Sequence, residues 1–465
     1  MLERVGLRFE SFVRRFMPDP FVLAIVLTLL TFVLARCLTK HADTGASYSL
    51  WELLQLWLNG PELQPGQSAS VTTGGFWALL EFAMQMALVV VTGEAVASAP
   101  LVQRALGWLS QIPRSAWGSV AFVSFVGMSL GWVHWGLGLI LAALLAREVA
   151  IQAKARGVKL HYPLIGAAAY TAQLIWHGGL SGSAPLVVNS PKHFLADLIG
   201  QVSLRETVLT PMNLVACGFL LITVPFLVAA MTPKPENAVE ASDALLAERK
   251  REIFLPDRST LAGRLDAWPV WGWIIAVPGA ILMYAHFRTK GFDLNLNVLN
   301  FIFLLLGLVL HGSPVAYMKA ASQSMKGAAG IVVQFPFYGG IMGVVRGSGL
   351  GEQLAHVFTN LANAHTLPFF AYASSVLSKL FIPSGGGEWA VEGPVMLKAA
   401  KSLGSDIGKT IMAVAYGNMV GNMFQPFWAL PLLGIMGLKA KEIMGYCLVI
   451  FCFACPVLGL VLLMF

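Results

Sequence analysis

Charge is what this sequence lacks most. Of its 465 residues only 12% are Asp, Glu, Lys or Arg, against 57% hydrophobic, and the mean hydropathy is +0.70. Soluble globular chains carry about 25% charged residues. Half that value leaves too few to coat a water-facing surface, which excludes a soluble enzyme, a nucleic-acid module and a disordered chain. The net charge of +7 reads as cationic loops on the cytoplasmic side of a membrane, not as a groove for phosphates. Cysteine is scarce as well. Cys37, Cys217, Cys447, Cys452 and Cys455 are odd in number and lie in or beside apolar runs, so no disulfide scaffold is implied. Cys452 and Cys455 spell C-x-x-C, but with no second pair and inside a continuous apolar stretch they read as packing residues. A phosphate loop is missing too. Gly404 to Thr410 has three residues between its glycines where four are needed. No ATP-driven pump is encoded, and nothing requires a metal or an organic cofactor.

Long apolar runs are abundant. About 20 apolar residues cross the hydrocarbon layer as a helix. Full spans are expected at 20–38, 76–99, 211–231, 268–286, 295–312, 326–346 and 442–463. Residues 1–19 carry Arg4, Arg8, Arg14 and Arg15 and read as an interfacial helix before a retained first span. Lys and Arg set the orientation. With the N-terminus inside, segments 1–19, 101–116, 147–161, 232–267, 313–326 and 437–441 face the cytoplasm and hold 20 of the 31 cations. Lys398, Lys401 and Lys409 then lie near the outer face, against the trend.

Three regions are apolar yet rich in Gly, Pro and Ser: 116–150, 162–200 and 366–436. Broken helices at membrane depth are tolerated where they are buried in protein or line a cavity. The expected domains are a first repeat at 20–231, with a hairpin at 116–150 and a broken helix at 162–200. A linker and linking span follow at 232–294. A second repeat occupies 295–465, with a hairpin at 366–400 and a broken helix at 408–436. The halves are weakly alike: Gln85 corresponds to Gln334, 249 positions on, and Tyr170 to Tyr416, 246 on. One half starts inside and the other outside. The fold expected is therefore all-α and polytopic, with two inverted repeats of about five elements each, re-entrant hairpins and discontinuous helices. Secondary transporters use this plan, with the substrate mid-membrane at the repeat interface.

The strongest local signal is Phe381-Ile-Pro-Ser-Gly-Gly-Gly-Glu-Trp389. Pro383 and three glycines interrupt apolar helix on both sides, so a hairpin tip is expected at Pro383 to Gly387. Amides freed at the next helix start suit an anion. The counterpart tip, Gly131 to Gly138, carries His134 and Trp135. The first broken helix contains Trp176-His-Gly-Gly-Leu-Ser-Gly-Ser-Ala-Pro185, where Ser181, Gly182 and Ser183 can hold a carboxylate or a cation. Gly179-Leu-Ser-Gly182 also matches a short pattern of intramembrane serine proteases, but no aligned base accompanies it. The second broken helix offers Asn418 and Asn422, one turn apart and expected to serve one cavity. Gln425-Pro426 breaks it. Gly417 and Gly421, like Gly339, Gly343 and Gly347, form small-residue stripes for close helix contact. The main intramembrane ionisable groups are Glu94, His134, His177, Lys379 and Glu388, costly there and functional by default.

These segments resemble the bacterial short-chain fatty acid transporter family, linked to acetoacetate and butyrate uptake. The likeness runs over nearly the whole chain. It includes Met17-Pro-Asp-Pro20, Met84-Gln-Met-Ala-Leu88, Ala146-Arg-Glu-Val-Ala150 and Ser181-Gly-Ser183. Further along it includes Val333-Gln-Phe-Pro-Phe-Tyr338, Pro383-Ser-Gly-Gly-Gly387 and Gln425-Pro-Phe-Trp-Ala-Leu-Pro431. The resemblance implies a secondary transporter for a small monocarboxylate in the bacterial inner membrane. By analogy with the wider ion-transporter group it further implies a homodimer and elevator-like motion. The chain departs from the family pattern at Glu388, Asn418, His177, His134 and Lys379. The expected substrate ligands are Ser384, Gly385, Gly386, Gly387, Ser181, Gly182, Ser183, Asn418, Asn422 and Gln425. Trp389, Trp135 and Phe427 are expected against the acyl chain. Glu388 is expected to carry the coupling proton, with Lys379, His134 and His177 assisting. Na⁺ is the competing ion, and a passive anion or carboxylate channel is the alternative function, with an intramembrane serine protease behind it. Membrane lipid is the expected surrounding, and no nucleic-acid partner is expected.

Overall fold

The computed structural model describes residues 2–41, 43–61, 75–191, 193–242, 258–291 and 294–465. Its elements are helical. The first half comprises α1 (Leu2–Phe16), α2 (Pro20–Leu38), α3 (Leu50–Asn59), α4 (Leu80–Ser98), α5 (Pro100–Leu109), α6 (Ala116–Val133), α7 (Trp135–Ala155), α8 (Tyr162–Tyr170), α9 (Ser183–Asn189) and α10 (Pro211–Ala230). The second comprises α11 (Val270–Lys290), α12 (Leu296–Leu310), α13 (Pro314–Gly347), α14 (Leu350–Thr359), α15 (Leu367–Ser378), α16 (Gly385–Leu403), α17 (Ile407–Gly421), α18 (Ala429–Met436) and α19 (Ala440–Met464). Among the described residues eight helices are long and apolar enough to cross a bilayer. The chain is an all-helical, multi-pass membrane protein.

The spans fall close to where hydropathy puts them, with one large exception. Helix α13 runs for 34 residues, about 51 Å at 1.5 Å per residue, and absorbs the loop expected at 313–326. Pro314 opens the helix and the Ser313 hydroxyl accepts from the Ala316 amide at 3.2 Å. Lys319 and Lys326 do not stop the helix. Three short helices were not expected, α3, α5 and α14. The signal for α3 was present: Ser49 and Glu52 close a reciprocal capping box.

The partner of α3 is the glycine stripe of α13. The Leu56 carbonyl lies against Gly343, and the Trp57 indole lies against Gly340. A Cβ on Gly343 would also come within 2.7 Å of the Gly75 nitrogen. The stripe at Gly339, Gly343 and Gly347 is therefore for close packing. Gly343→Ala is expected to cost about 1–3 kcal/mol through overpacking, read as a lower thermal midpoint in detergent. Gly386→Ala, where no atom lies within 4 Å of the added carbon, is the matched control.

The loops gather at two ends. At one end the Glu3 carboxylate accepts from the Lys234 amide, Arg156 donates to the Pro113 carbonyl, Lys154 donates to the Ala241 carbonyl and Tyr162 donates to the Met436 carbonyl. These contacts join segments that charge assigned to one face. At the other end Tyr48 donates to the Gly347 carbonyl and Lys401 to the Leu198 carbonyl. The first part of the linker at 232–294, up to residue 242, is docked. Pro256, expected within it, lies outside the described residues.

Candidate functional site

Each half folds a hairpin tip onto a helix break. In the first half α6 and α7 are separated by His134 alone, an extended residue whose Nδ1 accepts from the amides of Gly136 at 3.2 Å and Leu137 at 3.3 Å. His134 is thus a helix cap. Among the described residues no hydrogen bond joins it to Lys379 or Glu388. The tip rests on the first break: the Leu180 amide donates to the Trp132 carbonyl at 2.8 Å, and the Trp135 amide to Ser181 Oγ at 3.0 Å. Gly131 and Gly179 pack against the backbones of Ala172 and Trp132, leaving no room for a side chain. After α8 the chain tightens into short 3-10 turns, Thr171–Leu174 and Trp176–Gly178, opens at Gly179 to Gly182, and resumes as α9.

In the second half α15 ends at Ser378 and α16 begins at Gly385, with Ser384 as its cap. The tip is as expected, but α16 starts three residues before Glu388. The tip is tied to the second break, because Trp428 Nε1 donates to the Pro383 carbonyl at 2.9 Å. Gly417 and Gly421 let α17 approach the backbone and side chains of Tyr372, Ser375 and Lys379.

Lys379 is fully buried, and its ammonium donates to the Pro383 carbonyl at 2.5 Å and to Asn418 Oδ1 at 2.7 Å. Asn418 donates through Nδ2 to Glu388, which also accepts from the Ser375 hydroxyl. One amide thus bridges the lysine and the acid, and only one orientation of it satisfies both. A third ionisable group, Glu392, completes the cluster and was missed. It is fully buried one turn along from Glu388 and accepts from the hydroxyls of Ser374 and Ser378. Its Oε2 has no partner. The signal was in the sequence: two acids and a serine pair each repeat at helical i, i+4 spacing.

Asn418 and Asn422 do not share a cavity. Helix α17 ends at Gly421, so Asn422 turns away and donates to the Gln173 carbonyl at 3.1 Å, while Tyr170 donates to the Asn422 carbonyl at 3.0 Å. Asn422 therefore joins the two breaks, whereas Asn418 serves the lysine and the acid. Gln425 Oε1 accepts from the Phe427 amide at 3.2 Å, leaving its Nε2 without a partner.

The breaks meet directly. Gly385 faces the imidazole of His177, and a Cβ on it would lie 3.0 Å from both His177 Nε2 and Ser183 Oγ. Ser181, Ser183, Ser384 and Gly386 are partly exposed beside otherwise buried chain. Aromatic rings wall the neighbourhood. Trp135 stacks on Trp176 at 4.9 Å, and both meet Trp428 edge-on at 5.1 and 4.7 Å. Phe427 lies 5.3 Å from Trp428 and stacks on Phe335 at 4.2 Å. Trp135 and Phe427 are thus brought together through Trp428, which the sequence reading did not single out. Trp389 is fully buried against Gly393 and joins none of these ring contacts.

Spanning helices around two interrupted segments, with a buried polar core between them, define a transport protein of the membrane rather than an enzyme. The chain belongs to the short-chain fatty acid transporter family, whose pattern matches residues 1–465. A protein of Escherichia coli (strain K12) named for that family is 37% identical over 449 residues, covering 96% of each chain. One from Haemophilus influenzae, named likewise, is 36% identical over 465 residues, covering 98% of each. Among solved structures, Neisseria gonorrhoeae MtrF, titled as illuminating a class of antimetabolite efflux pumps, overlaps 99% of this chain and 97% of its own. Its identity is 13% and its TM-score 0.43. The Alcanivorax borkumensis YdaH transporter overlaps 96% and 98%, at 17% identity and a TM-score of 0.42. Both overlaps are too loose to transfer a residue or an activity.

Proposed function

We propose that this protein is a secondary active transporter that moves small monocarboxylates such as acetoacetate or butyrate across the bacterial inner membrane, with its N-terminus in the cytoplasm. In this reading the halves are inverted repeats, and substrate sits where the break at 179–183 meets the tip at 383–387. The observation that carries the reading is the contact of Gly385 with His177 and Ser183. It brings two interrupted backbones, distant in sequence, to one partly open place. The carboxylate would lie at the start of α16, where unpaired amides and the helix dipole favour an anion. The acyl chain would lie towards Trp135, Trp428 and Phe427.

Coupling is assigned to Glu388 together with Glu392. Glu388 meets the lysine through Asn418, and Glu392 lies one turn along from Glu388 in the same dry region. Fully ionised, they leave one negative charge uncompensated, a state that burial strongly disfavours. A proton on the acid pair cancels that charge, so that an entering carboxylate brings the site to one negative charge rather than two. Sodium is the second reading, favoured by Gln173 Oε1 and Asn422 Oδ1, two buried carbonyl oxygens without a partner at the crossing of the breaks.

Proteoliposome uptake tests both. Labelled butyrate should accumulate under an imposed proton gradient, and Glu388→Gln should lose that stimulation while still exchanging butyrate across the membrane. Stimulation by sodium alone favours the second reading. Non-saturating flux without accumulation would replace the transporter with a channel.

A further inference from the structure

We infer that His177 selects a carboxylate at the tip of the second hairpin by donating from Nε2. The inference rests on the substrate site proposed above and supplies its recognition chemistry. His177 lies in the turn just before the first break and is 1% exposed. Its Nδ1 accepts from the Ser183 amide at 3.2 Å. That nitrogen therefore keeps its lone pair, and a neutral ring carries its proton on Nε2. Nε2 has no partner. Buried polar groups are nearly always paired, so this donor points to a group outside the protein.

The donor is aimed at a helix start. A Cβ on Gly385 would lie 3.0 Å from Nε2. The first amides of a helix have no partner within it. Ser384 Oγ takes the Gly387 amide at 3.4 Å, which leaves those of Gly385 and Gly386. No atom lies within 4 Å of a Cβ built on Gly386, so space adjoins them. Asn418 stands beside the ring, with its carbonyl engaged by Lys379 and its amide by Glu388, and its geometry completes no hydrogen bond to Nε2.

Three free groups around this space only donate, an imidazole N–H and two backbone amides, and the Ser183 hydroxyl can turn to donate as well. Such a set fits a ligand end that only accepts. A carboxylate does so with both oxygens, one towards the Gly385 and Gly386 amides and one towards Nε2. A primary carboxamide of the same shape turns an NH₂ towards a donor and is rejected, because a site built for one hydrogen-bonding pattern penalises its mismatch.

The test uses the full-length protein purified in detergent. Binding of labelled butyrate is measured by equilibrium dialysis, with unlabelled butyrate and butyramide as competitors. Wild type should prefer butyrate. His177→Ala should raise the butyrate dissociation constant about 10- to 100-fold, the range for one hydrogen bond to a charged group, and should shrink the preference over butyramide. His177→Gln, which retains an N–H donor, should recover part of both and covers the case in which the Ala variant does not fold. Unchanged affinity in a folded variant overturns the inference while leaving the site reading intact. Equal weakening of butyrate and butyramide, as a merely structural role would give, also overturns it. Wild type that binds no short monocarboxylate overturns the site reading and the inference together.

Discussion

Lys379→Met should lower stability by about 3–5 kcal/mol, the range for leaving a buried charge without its counter-charge. The ammonium is the only cation the cluster holds, and Met fills its volume without its charge. Two acids would then share a dry site with no counter-charge, and Asn418 Oδ1 would lose its donor. Pro383 is less affected, because Trp428 still donates to its carbonyl. Glu388→Gln should cost less than Lys379→Met, since it also removes the repulsion between the two buried acids. Combining the two leaves one acid and no lysine, so the double variant should be more stable than Lys379→Met alone. Detergent-solubilised protein unfolded by denaturant, scored as a double-mutant cycle, measures each step. Losses that simply add would mean that the lysine and the acid do not interact. A Lys379→Met loss below about 1 kcal/mol would put the charge balance elsewhere.

The sequence made the spans legible because an apolar run of about 20 residues has few alternatives to a membrane helix. The breaks were legible for the same reason in reverse: Pro383 with three glycines, and Gln425-Pro426, cannot continue a helix that apolar residues demand on both sides. What sequence could not supply was partnership. Asn418 and Asn422 sit one turn apart, and spacing alone sends them to the same place. The helix ends between them, so one meets Glu388 and the other meets Gln173. Trp389 and Trp428 are equally plausible aromatic neighbours of the tip in one dimension. Only packing puts Trp428 on Pro383 and Trp389 against Gly393. His134 was weighed as an ionisable group, while its backbone position makes it a cap. Glu392 could have been found: a reading that asked which residues lie one turn from Glu388 reaches it without coordinates.

Acidification should weaken the contact between the linker and the base of the first broken helix, and His161 sets the direction. The ring is 1% exposed, just before α8. Its Nδ1 accepts from the Val239 amide at 3.0 Å, which leaves the proton on Nε2, 3.0 Å from the Tyr446 hydroxyl. Tyr446 in turn donates to Glu10, which pairs with Arg14. Burial, aided by the Arg14 charge, pulls the His161 pKa down from 6.5 to about 4. The folded value lies below the unfolded one, so the neutral ring's contribution is complete above pH 6.5 and is lost as pH falls towards 4. Between pH 7.5 and 4.5 the loss amounts to about 2–3 kcal/mol at 1.36 kcal/mol per pKa unit. Protonated Nδ1 would also face the Val239 N–H donor to donor, releasing the linker strand that the Tyr162 amide holds through the Val239 carbonyl. His161→Asn, whose Oδ1 can accept from Val239 without titrating in this range, should flatten the stability profile by that amount. If the pH slope in the variant matches wild type, the acid sensitivity does not reside in this ring, and the neutral hydrogen-bond chain from Val239 to Glu10 is not what holds the linker down.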